Sequence, residues 1–327
     1  MTKRLHLSLS DLQSRLSPFE PEEARWAIED CLLGRISPAI AIARMVLATG
    51  SAEETEALVD AAEREWEPPV PAALTQLIRL LRKNRRGCHQ IAEMLNEHPD
   101  PHHRFASPEE GIETCREFFD RAVDRSEEAS VAAWSLGDPR LLGKGTKEVV
   151  DLFERWRLLG PGRRTLEIGC GIGRLEAALA PWVAEAHGID ISPKMIEAAR
   201  RRCAGLPNVF LSLGSGRDLA GFSDGGLDLV FAVDSFPYIR NVGWDLADAH
   251  FREAARVLCP GGDFVLLNFS YRDDTATDVS EVRFLARAHG FEVETAGQRP
   301  FRFWDGVAFH LRRSGPSPPA PLPEGEG

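Results

Sequence analysis

Polar and apolar positions follow two different patterns along this chain, and the pattern changes between residues 105 and 160. In residues 5–105 the apolar side chains recur at helical spacing, and in the segment SAEETEALVDAAEREW one helical face collects Leu58, Val59, Ala62 and Trp66. Ser51 at the start of this segment and the Ser37-Pro38 pair before it are typical helix starts. The pattern therefore predicts an N-terminal α-helical domain over residues 1–105.

From about residue 160, short apolar runs alternate with helical stretches, and the runs are RTLEIG, EAHGID, NVFLSLG, LDLVFAVD and DFVLLNFS. Strands and helices that alternate in this way predict βαβ units and a parallel sheet with helices on both faces. Two runs near the end, FEVETA and VAFHLRR, predict a final antiparallel pair. We expect an α/β domain over residues 106–313, joined to the helical domain near residues 98–107. Residues 314–327 are rich in Pro, Gly, Ser and Glu, which predicts a disordered tail.

Composition narrows the class of protein. The 327 residues are 43% hydrophobic and 27% charged, enough apolar surface for a sizeable core. A net charge of −11 disfavours a general nucleic-acid binder. The sequence shows no signal-peptide run and no apolar stretch of membrane-spanning length, so we expect a cytoplasmic protein. Neither the six scattered cysteines nor the His-rich segment 88–103 has the spacing of a metal site, so we expect no metal.

The segment TLEIGCGIGR over residues 165–174 carries the strongest chemical signal. Gly169, Gly171 and Gly173 follow a predicted strand and precede a predicted helix. Glycines here let the backbone turn tightly and let a ligand approach it closely. A dinucleotide fingerprint would need glycine where the chain has Arg174 or Glu176. The alternative hypothesis is a tight strand-to-helix turn that binds nothing.

Other segments strengthen the ligand hypothesis. Asp190 ends the second predicted strand, where a carboxylate can accept hydrogen bonds from ribose hydroxyls. The E-x-G-x-G-x-G spacing that begins at Glu167 is followed in order by GIDISPKMI, FSDGGLDLVFAVDSFPYI and EAARVLCPGGDFVLLNFS. Together these segments resemble the class I S-adenosylmethionine-dependent methyltransferases of small-molecule type, over about residues 112–313.

The resemblance implies a doubly wound, mainly parallel seven-stranded sheet and S-adenosyl-L-methionine as cofactor. The cofactor-binding positions that it implies are Glu167, Gly169, Cys170, Gly171, Gly173, Asp190, Ile191, Met195, Ser215, Gly216 and Asp234. One position departs from the family pattern, because Ser215 stands where an acidic residue usually meets the adenine amino group. We expect Ser215, or Asp218 close to it, to take that role.

The methyl acceptor is expected beyond the carboxyl ends of the strands, where ligands bind in open α/β sheets. The candidates there are Asp234, Ser235, Phe236, Tyr238, Asn268, Ser270 and Tyr271. Of these, Asp234 and Tyr238 are the candidate catalytic bases. The alternative is that Asp234 caps a loop and Tyr238 packs against the cofactor.

Two further groups of side chains each have a functional and a structural interpretation. Phe118, Phe119 and Trp134 lie where related small-molecule enzymes fold a lid over the pocket, but large aromatics are more often core residues. Arg302, Trp304 and His310 either touch substrate or stabilise the last hairpin.

The sequence therefore predicts an S-adenosylmethionine-dependent methyltransferase that transfers a methyl group to an O or N atom of a small molecule by in-line displacement. One alternative hypothesis is a non-catalytic cofactor-binding protein that regulates or binds partners. Another is a protein or RNA methyltransferase, with the helical domain as the surface for a macromolecular partner. The acidic balance and the segment Ser235-Phe236-Pro237-Tyr238, which lacks the signature of amino-methylating DNA enzymes, point away from DNA.

Overall fold

A computed structural model describes residues 9–66, 69–97 and 105–314 of the chain. Before residue 98 the described segments form helices α1 (Leu9–Leu16), α2 (Glu22–Leu32), α3 (Pro38–Thr49), α4 (Ala52–Arg64), α5 (Ala72–Lys83) and α6 (Arg85–Asn96). Most of the expected junction and the expected tail beyond Ser314 lie outside the described residues, as do His98, His102 and His103 of the His-rich segment.

The helix starts that the sequence indicates are present. The Ser37 side chain accepts a hydrogen bond from the Ile40 N–H at 3.3 Å, and the Ser51 side chain accepts one from the Glu54 N–H at 3.2 Å. These bonds satisfy backbone donors that the first turn of a helix otherwise leaves unpaired. Gly50 ends α3 in the left-handed conformation, with φ of +65°.

The second half of the chain forms one seven-stranded sheet. Its strands are β1 (Gly160–Ile168), β2 (Val183–Asp190), β3 (Val209–Leu213), β4 (Leu227–Val233), β5 (Leu258–Leu267), β6 (Phe291–Gln298) and β7 (Ala308–Arg313). They lie in the order β3-β2-β1-β4-β5-β7-β6, parallel except for β7, which is antiparallel to both of its neighbours. This is the doubly wound sheet that the sequence predicts.

Two strands begin earlier than the apolar runs indicate. Gly160 pairs with Val183 ahead of an irregularity in β1, and Leu258 pairs with Leu227 ahead of one in β5. The Pro-Gly-Gly segment that precedes the apolar run DFVLLNFS is therefore part of β5. A bulge allows this, because it lets an irregular segment stay beside its neighbouring strand.

Helices cover both faces of the sheet. They are α7 (Pro108–Arg125), α8 (Glu127–Val131), α9 (Pro139–Arg155), α10 (Arg174–Leu179), α11 (Pro193–Arg202), α12 (Phe236–Val242), α13 (Trp244–Val257) and α14 (Thr275–Ala288). Because strand side chains alternate between faces, Phe231 packs in one core and its neighbours Val230 and Ala232 in the other. Within the described ranges, no helix is both long enough and apolar enough to cross a membrane.

The N-terminal helices share the first of these cores with the sheet, since buried residues of α1–α6 and of β4 and β5 belong to one apolar cluster. Arg44 of α3 also forms an ion pair with Asp305, which precedes β7, with a distance of 2.7 Å between Arg44 Nη2 and Asp305 Oδ2. The helical segment therefore packs directly on the α/β segment. The division at residues 105 and 106 stays a prediction.

Gly87 provides a test of this packing. A Cβ atom at Gly87 in α6 would lie 1.9 Å from the carbonyl oxygen of Leu136, a backbone atom that has little room to move. Gly87→Ala is therefore expected to lower the free energy of unfolding by about 1–3 kcal/mol through overpacking. In an exposed helix the same change normally stabilises.

Gly143 in α9 is the matched control, because no atom lies within 4 Å of a Cβ built there. Gly143→Ala is expected to raise the free energy of unfolding by up to about 1 kcal/mol. Urea denaturation of both variants measures the difference. Equal stability of Gly87→Ala and wild type would contradict the close contact between α6 and Leu136.

Candidate cofactor and acceptor site

The eleven positions expected to bind cofactor come together at the carboxyl edge of four adjacent strands. Glu167 lies in β1 just before the end of that strand at Ile168, and Gly169 to Gly173 follow it. Asp190 ends β2, Ile191 and Met195 follow β2, Ser215 and Gly216 follow β3, and Asp234 follows β4. The order of the strands reverses between β1 and β4, and ligands of open α/β sheets bind at such a switch point. The sequence prediction and the topology therefore indicate the same edge.

The glycine loop after β1 has the backbone conformation that only glycine adopts readily. Gly169, Gly171 and Gly173 have φ angles of +73°, +53° and +70°. The N–H groups of Gly169 and Cys170 donate to the carbonyl of Ile189 at 2.8 and 2.9 Å, which holds the loop against β2. The turn is thus set by the three glycines and fixed by its neighbour strand.

Each of these glycines also permits a close approach by another element. A Cβ atom at Gly169 would lie 2.4 Å from Cβ of Ser235, and one at Gly171 would lie 2.6 Å from Cγ1 of Val131. A Cβ at Gly173 would lie 3.0 Å from Cβ of Ala199. The loop therefore touches the end of β4, α8 and α11, and it forms the meeting point of the site.

Asp190 is bound to the loop through both carboxylate oxygens. Its Oδ2 accepts from the Gly171 N–H and its Oδ1 from the Ser192 N–H, both at 2.9 Å. Burial raises the pKa of Asp190 to about 6, although both hydrogen bonds favour the ionised form. A carboxylate oxygen can accept more than one bond, so Asp190 keeps acceptor capacity for a hydroxyl group.

Helix α7 covers the ends of β2 and β3. A Cβ at Gly216 would lie 2.9 Å from Cγ2 of both Ile112 on α7 and Ile191. The Ser192 hydroxyl donates to Asp120 of α7 at 2.6 Å and accepts from the N–H of the buried Met195 at 3.1 Å. These contacts hold α7 against the segments that follow β2 and β3.

Ser215 is engaged with its own turn. Its hydroxyl accepts from the N–H groups of Arg217 and Asp218 at 3.1 and 3.3 Å, and it lies 3.0 Å from Oδ1 of Asp218. The two side chains proposed for adenine recognition are thus bonded to each other.

Asp234 lies at the end of β4 in a left-handed conformation, with φ of +60°. Its Oδ1 accepts from Asn268 Nδ2 at 2.6 Å and from the Tyr271 hydroxyl at 3.3 Å. Asn268 follows β5 and also accepts from the Val307 N–H at 2.8 Å, which fixes its amide. Burial raises the pKa of Asp234 to about 6, against the Asn268 hydrogen bond and the charge of Arg174.

Aromatic rings surround this carboxylate. Tyr238 of α12 packs edge-on against Phe119 of α7 and Tyr271, with ring centroids 4.9 and 5.7 Å away. Burial raises the pKa of Tyr238, so its phenol stays neutral at physiological pH and acts as a hydrogen-bond donor more readily than as a base. Of the two candidate bases, Asp234 fits that role better.

The other aromatic candidates divide between site and core. Phe119 faces Tyr238, whereas Phe118 and Trp134 are buried in the apolar core. Trp304 is also buried, and His310 lies 2.8 Å from Asp263 and stacks on Trp156. These contacts favour the structural interpretation for Phe118, Trp134, Trp304 and His310.

The remaining candidates serve local structure. Ser235 donates to the Ile168 carbonyl, Ser270 donates to Asp278 at 2.7 Å, and Phe236 is fully buried. The backbone N–H of Arg302 donates to the carboxylate of Glu148 at 3.0 Å, so the side chain of Arg302 takes no part in that bond.

Sequence reasoning missed a charged cluster beneath the loop. Glu176 and Arg174 of α10 are buried beside Glu167, and Arg174 Nη1 donates to the Thr146 hydroxyl at 3.1 Å. Burial first, and then the negative charge of Glu176, raise the pKa of Glu167. The only signal in the sequence is a pair of charged residues in the first turn after the loop.

The comparisons with known proteins agree with this geometry. The family model described as a methyltransferase domain matches residues 165–262. Demethylmenaquinone methyltransferase of Tropheryma whipplei (strain Twist) is 37% identical over 110 residues, which are 34% of this chain and 43% of that protein. The enzyme of the same name from Symbiobacterium thermophilum is 30% identical over 183 residues, which are 52% of this chain and 64% of that protein. The chain thus spans less than two thirds of the length of these curated relatives.

A solved structure supports the fold. Phosphoethanolamine N-methyltransferase 1 of Haemonchus contortus, in complex with phosphoethanolamine and S-adenosylhomocysteine, aligns with a TM-score of 0.50 at 15% identity. The alignment covers 68% of this chain and 52% of that one. The α/β segment therefore has the fold that its motifs predict, and residues 165–262 within it match a methyltransferase domain.

Proposed function

We propose that the protein transfers a methyl group from S-adenosylmethionine to an O or N atom of a small-molecule acceptor by in-line displacement. The observation that carries the proposal is the contact between the two halves of the site. Gly169 of the loop lies so close to Ser235 that a Cβ atom would be 2.4 Å from it, and Ser235 follows Asp234 directly. The cofactor loop and the candidate base are thus neighbours.

The residues at this edge fit the cofactor. Three glycines at positive φ leave no side chain on the loop at those positions, and Asp190 keeps acceptor capacity beside it. The buried Glu167 has an oxygen, Oε2, without a hydrogen-bond partner among the described residues, which suits a ligand that carries a cation. The positions that would hold the cofactor are Glu167, Gly169, Cys170, Gly171, Gly173, Asp190, Ile191, Met195, Ser215, Gly216 and Asp234.

The cofactor supplies an electrophilic methyl group on a sulfonium, so the protein has to supply alignment and a dry pocket. Asp234 accepts the proton of the acceptor O–H or N–H, and Asn268 holds its carboxylate in place through the 2.6 Å bond. Tyr238, Tyr271 and Phe119 provide an aromatic wall beside that carboxylate. Helices α7 and α8 lie against this edge, with Ile112 of α7 beside Gly216 and Val131 of α8 beside Gly171.

The chemical class of the methyl acceptor is inferred from this aromatic wall and from the names of the curated relatives. Two tyrosine rings next to one carboxylate suit an apolar or aromatic molecule with one ionisable group. The curated relatives include enzymes named for demethylmenaquinone and for 2-methyl-6-phytyl-1,4-hydroquinone, both of them small molecules. The N-terminal helices pack on the same domain. This packing supports a role for these helices in the wall of the acceptor site.

A parallel acceptor screen tests the proposal. The full chain is incubated with methyl-labelled S-adenosylmethionine and, separately, with metabolite extract, protein and RNA, and Gly171→Val serves as the inactive control. We expect label in the metabolite pool only. Label in protein or RNA would replace the proposal by a macromolecular methyltransferase, and cofactor binding without transfer to any pool would indicate a non-catalytic protein.

A further inference from the structure

Two buried carboxyl groups beneath the glycine loop lack the partners that buried acids normally have. Glu167 of β1 and Glu176 of α10 are 3% and 1% exposed. Among the described residues, no donor reaches Oε2 of Glu167 or either oxygen of Glu176. An unpaired buried acceptor destabilises a protein by about 1–3 kcal/mol, so its presence calls for an explanation.

The two carboxyl groups face each other. Each group acts on the pKa of the other, and a hydrogen bond between two carboxyl groups forms only when one of them carries a proton. Burial is the main cause that raises both pKa values, that of Glu176 to about 7. The pair therefore holds one proton over part of the physiological pH range.

The pair lies directly under the loop. A Cβ atom at Gly188 of β2 would be 2.7 Å from Oε1 of Glu176 and 2.8 Å from Cβ of Cys170, so the glycine makes room for both. Hence the carboxyl of Glu176 and the loop residue Cys170 both lie against β2 at Gly188. A charge at this place acts on the loop through protein interior rather than through water.

The charged and titratable groups around the pair balance its negative charge poorly. They come from α10, the loop, the end of β2 and the residue after α11, and they are Arg174, Cys170, Asp190 and Cys203. Arg174 is the buried cation of this set, and it faces Glu167, Glu176 and Asp234. Within the described residues no group of three or more His, Cys, Asp or Glu side chains is arranged to hold a metal ion.

We propose that Glu176 is a specificity-determining residue for the charge of the cofactor. The Glu167–Glu176 pair shares a proton in the free protein and releases it to solvent when the sulfonium of S-adenosylmethionine binds at the loop. The ionised pair then favours the sulfonium of S-adenosylmethionine over the neutral thioether of S-adenosylhomocysteine. Transfer of the methyl group removes this charge, and the product leaves more easily.

The proposal rests on the cofactor site described above and adds to it a function for a residue beneath the loop. The direction of the expected pH dependence follows from the linkage between ligand binding and proton release. Since binding releases a proton, the affinity for S-adenosylmethionine rises with pH through the range in which the pair titrates, centred near pH 7 by the pKa of Glu176. The affinity for S-adenosylhomocysteine rises less, because its sulfur carries no charge.

Isothermal titration calorimetry on the full chain tests this. Each ligand is titrated at pH 7 in buffers with different ionisation enthalpies, which gives the number of protons released on binding. We expect the wild type to release a fraction of a proton, about one half, with S-adenosylmethionine. Glu176→Gln keeps the shape of the side chain, and we expect it to abolish most of this release, to weaken S-adenosylmethionine about tenfold and to change S-adenosylhomocysteine less than threefold.

Glu197→Gln is the matched control, because Glu197 lies exposed on α11 and pairs with Arg201 at 3.0 Å. It should leave both affinities and the proton count unchanged. Wild-type binding without proton release between pH 6 and 8 would overturn the proposal without any variant, and so would equal weakening of both ligands by Glu176→Gln. If the wild type binds neither ligand, the cofactor site itself is wrong, which is a separate outcome.

Discussion

Gly171→Val is expected to abolish detectable binding of S-adenosylmethionine while the fold persists. The backbone at Gly171 has φ of +53°, a region in which a β-branched residue is strained by about 1–3 kcal/mol. The new Cβ would also lie 2.6 Å from Cγ1 of Val131, so α8 or the loop has to move. Either movement disturbs the 2.9 Å bond from the Gly171 N–H to Asp190. Together these effects should cost at least about 100-fold in affinity.

Gly205→Val separates backbone strain from damage to the site. Gly205 has φ of +87° and follows α11, and no atom lies within 4 Å of a Cβ built there. It should lose stability to strain as Gly171→Val does but retain wild-type affinity. Calorimetry gives the affinities, and circular dichroism confirms that both variants are folded. A Gly171→Val protein that binds within threefold of wild type would contradict the assignment of the loop.

This contrast also shows why the loop could be predicted from the sequence. A positive φ is a property of single positions, and glycine is the residue that adopts it most readily. Gly169, Gly171 and Gly173 therefore predict the turn directly. The central strands are predicted as well, because β4 and the second half of β5 are buried on both faces and their runs are almost entirely apolar. Asp190 and Asp234 follow from their place at the strand ends.

Contacts between distant parts of the chain have no comparable local signal in the sequence. Arg44 and Asp305 are 261 positions apart, and only the packing of α3 near β7 brings them together. The sequence leaves His310 open between a substrate contact and a role in the last hairpin, and the antiparallel register of β5 and β7 places it beside Asp263. Local patterns therefore predicted the elements, whereas the partners of these side chains required the fold.

Glu176 shows the same limit within the site. In the segment RLEAALA a charged residue in the first turn of a helix normally faces solvent and stabilises the helix end. Here α10 runs directly from the loop under β2, so its first turn is buried and its charges meet Glu167. Sequence periodicity cannot reveal which side of a six-residue helix the sheet covers.

Asp234→Asn is expected to lower the rate of methyl transfer by about 10²–10³-fold, the usual contribution of a positioned general base or somewhat below it. Burial raises the pKa of Asp234 to about 6, so the carboxylate form that accepts a proton is lost as the pH falls through 6. The wild-type rate should therefore rise with pH up to about 6 and then level off. In Asp234→Asn this dependence should disappear.

Two tyrosine variants show whether the carboxylate itself sets the profile. The Tyr271 hydroxyl donates to Asp234 and favours its ionised form, so Tyr271→Phe should move the midpoint of the profile to higher pH. Tyr238→Phe should slow transfer by no more than the same 10²–10³-fold, since its phenol stays neutral. The measurement is single-turnover methylation, at saturating cofactor, of the acceptor that the screen identifies. Saturation keeps the proton of the Glu167–Glu176 pair out of the profile.

The size of the loss distinguishes two catalytic strategies. Among the described residues at the ends of β4 and β5, the bonds of Asp234 to Asn268 and Tyr271 form no nucleophile-and-base pair, so positioning and exclusion of water should supply most of the rate enhancement. A loss near 10⁵-fold in Asp234→Asn, with unchanged cofactor affinity, would contradict this and show that proton abstraction dominates. An unchanged rate would instead assign Asp234 to shaping the loop, in keeping with its φ of +60°.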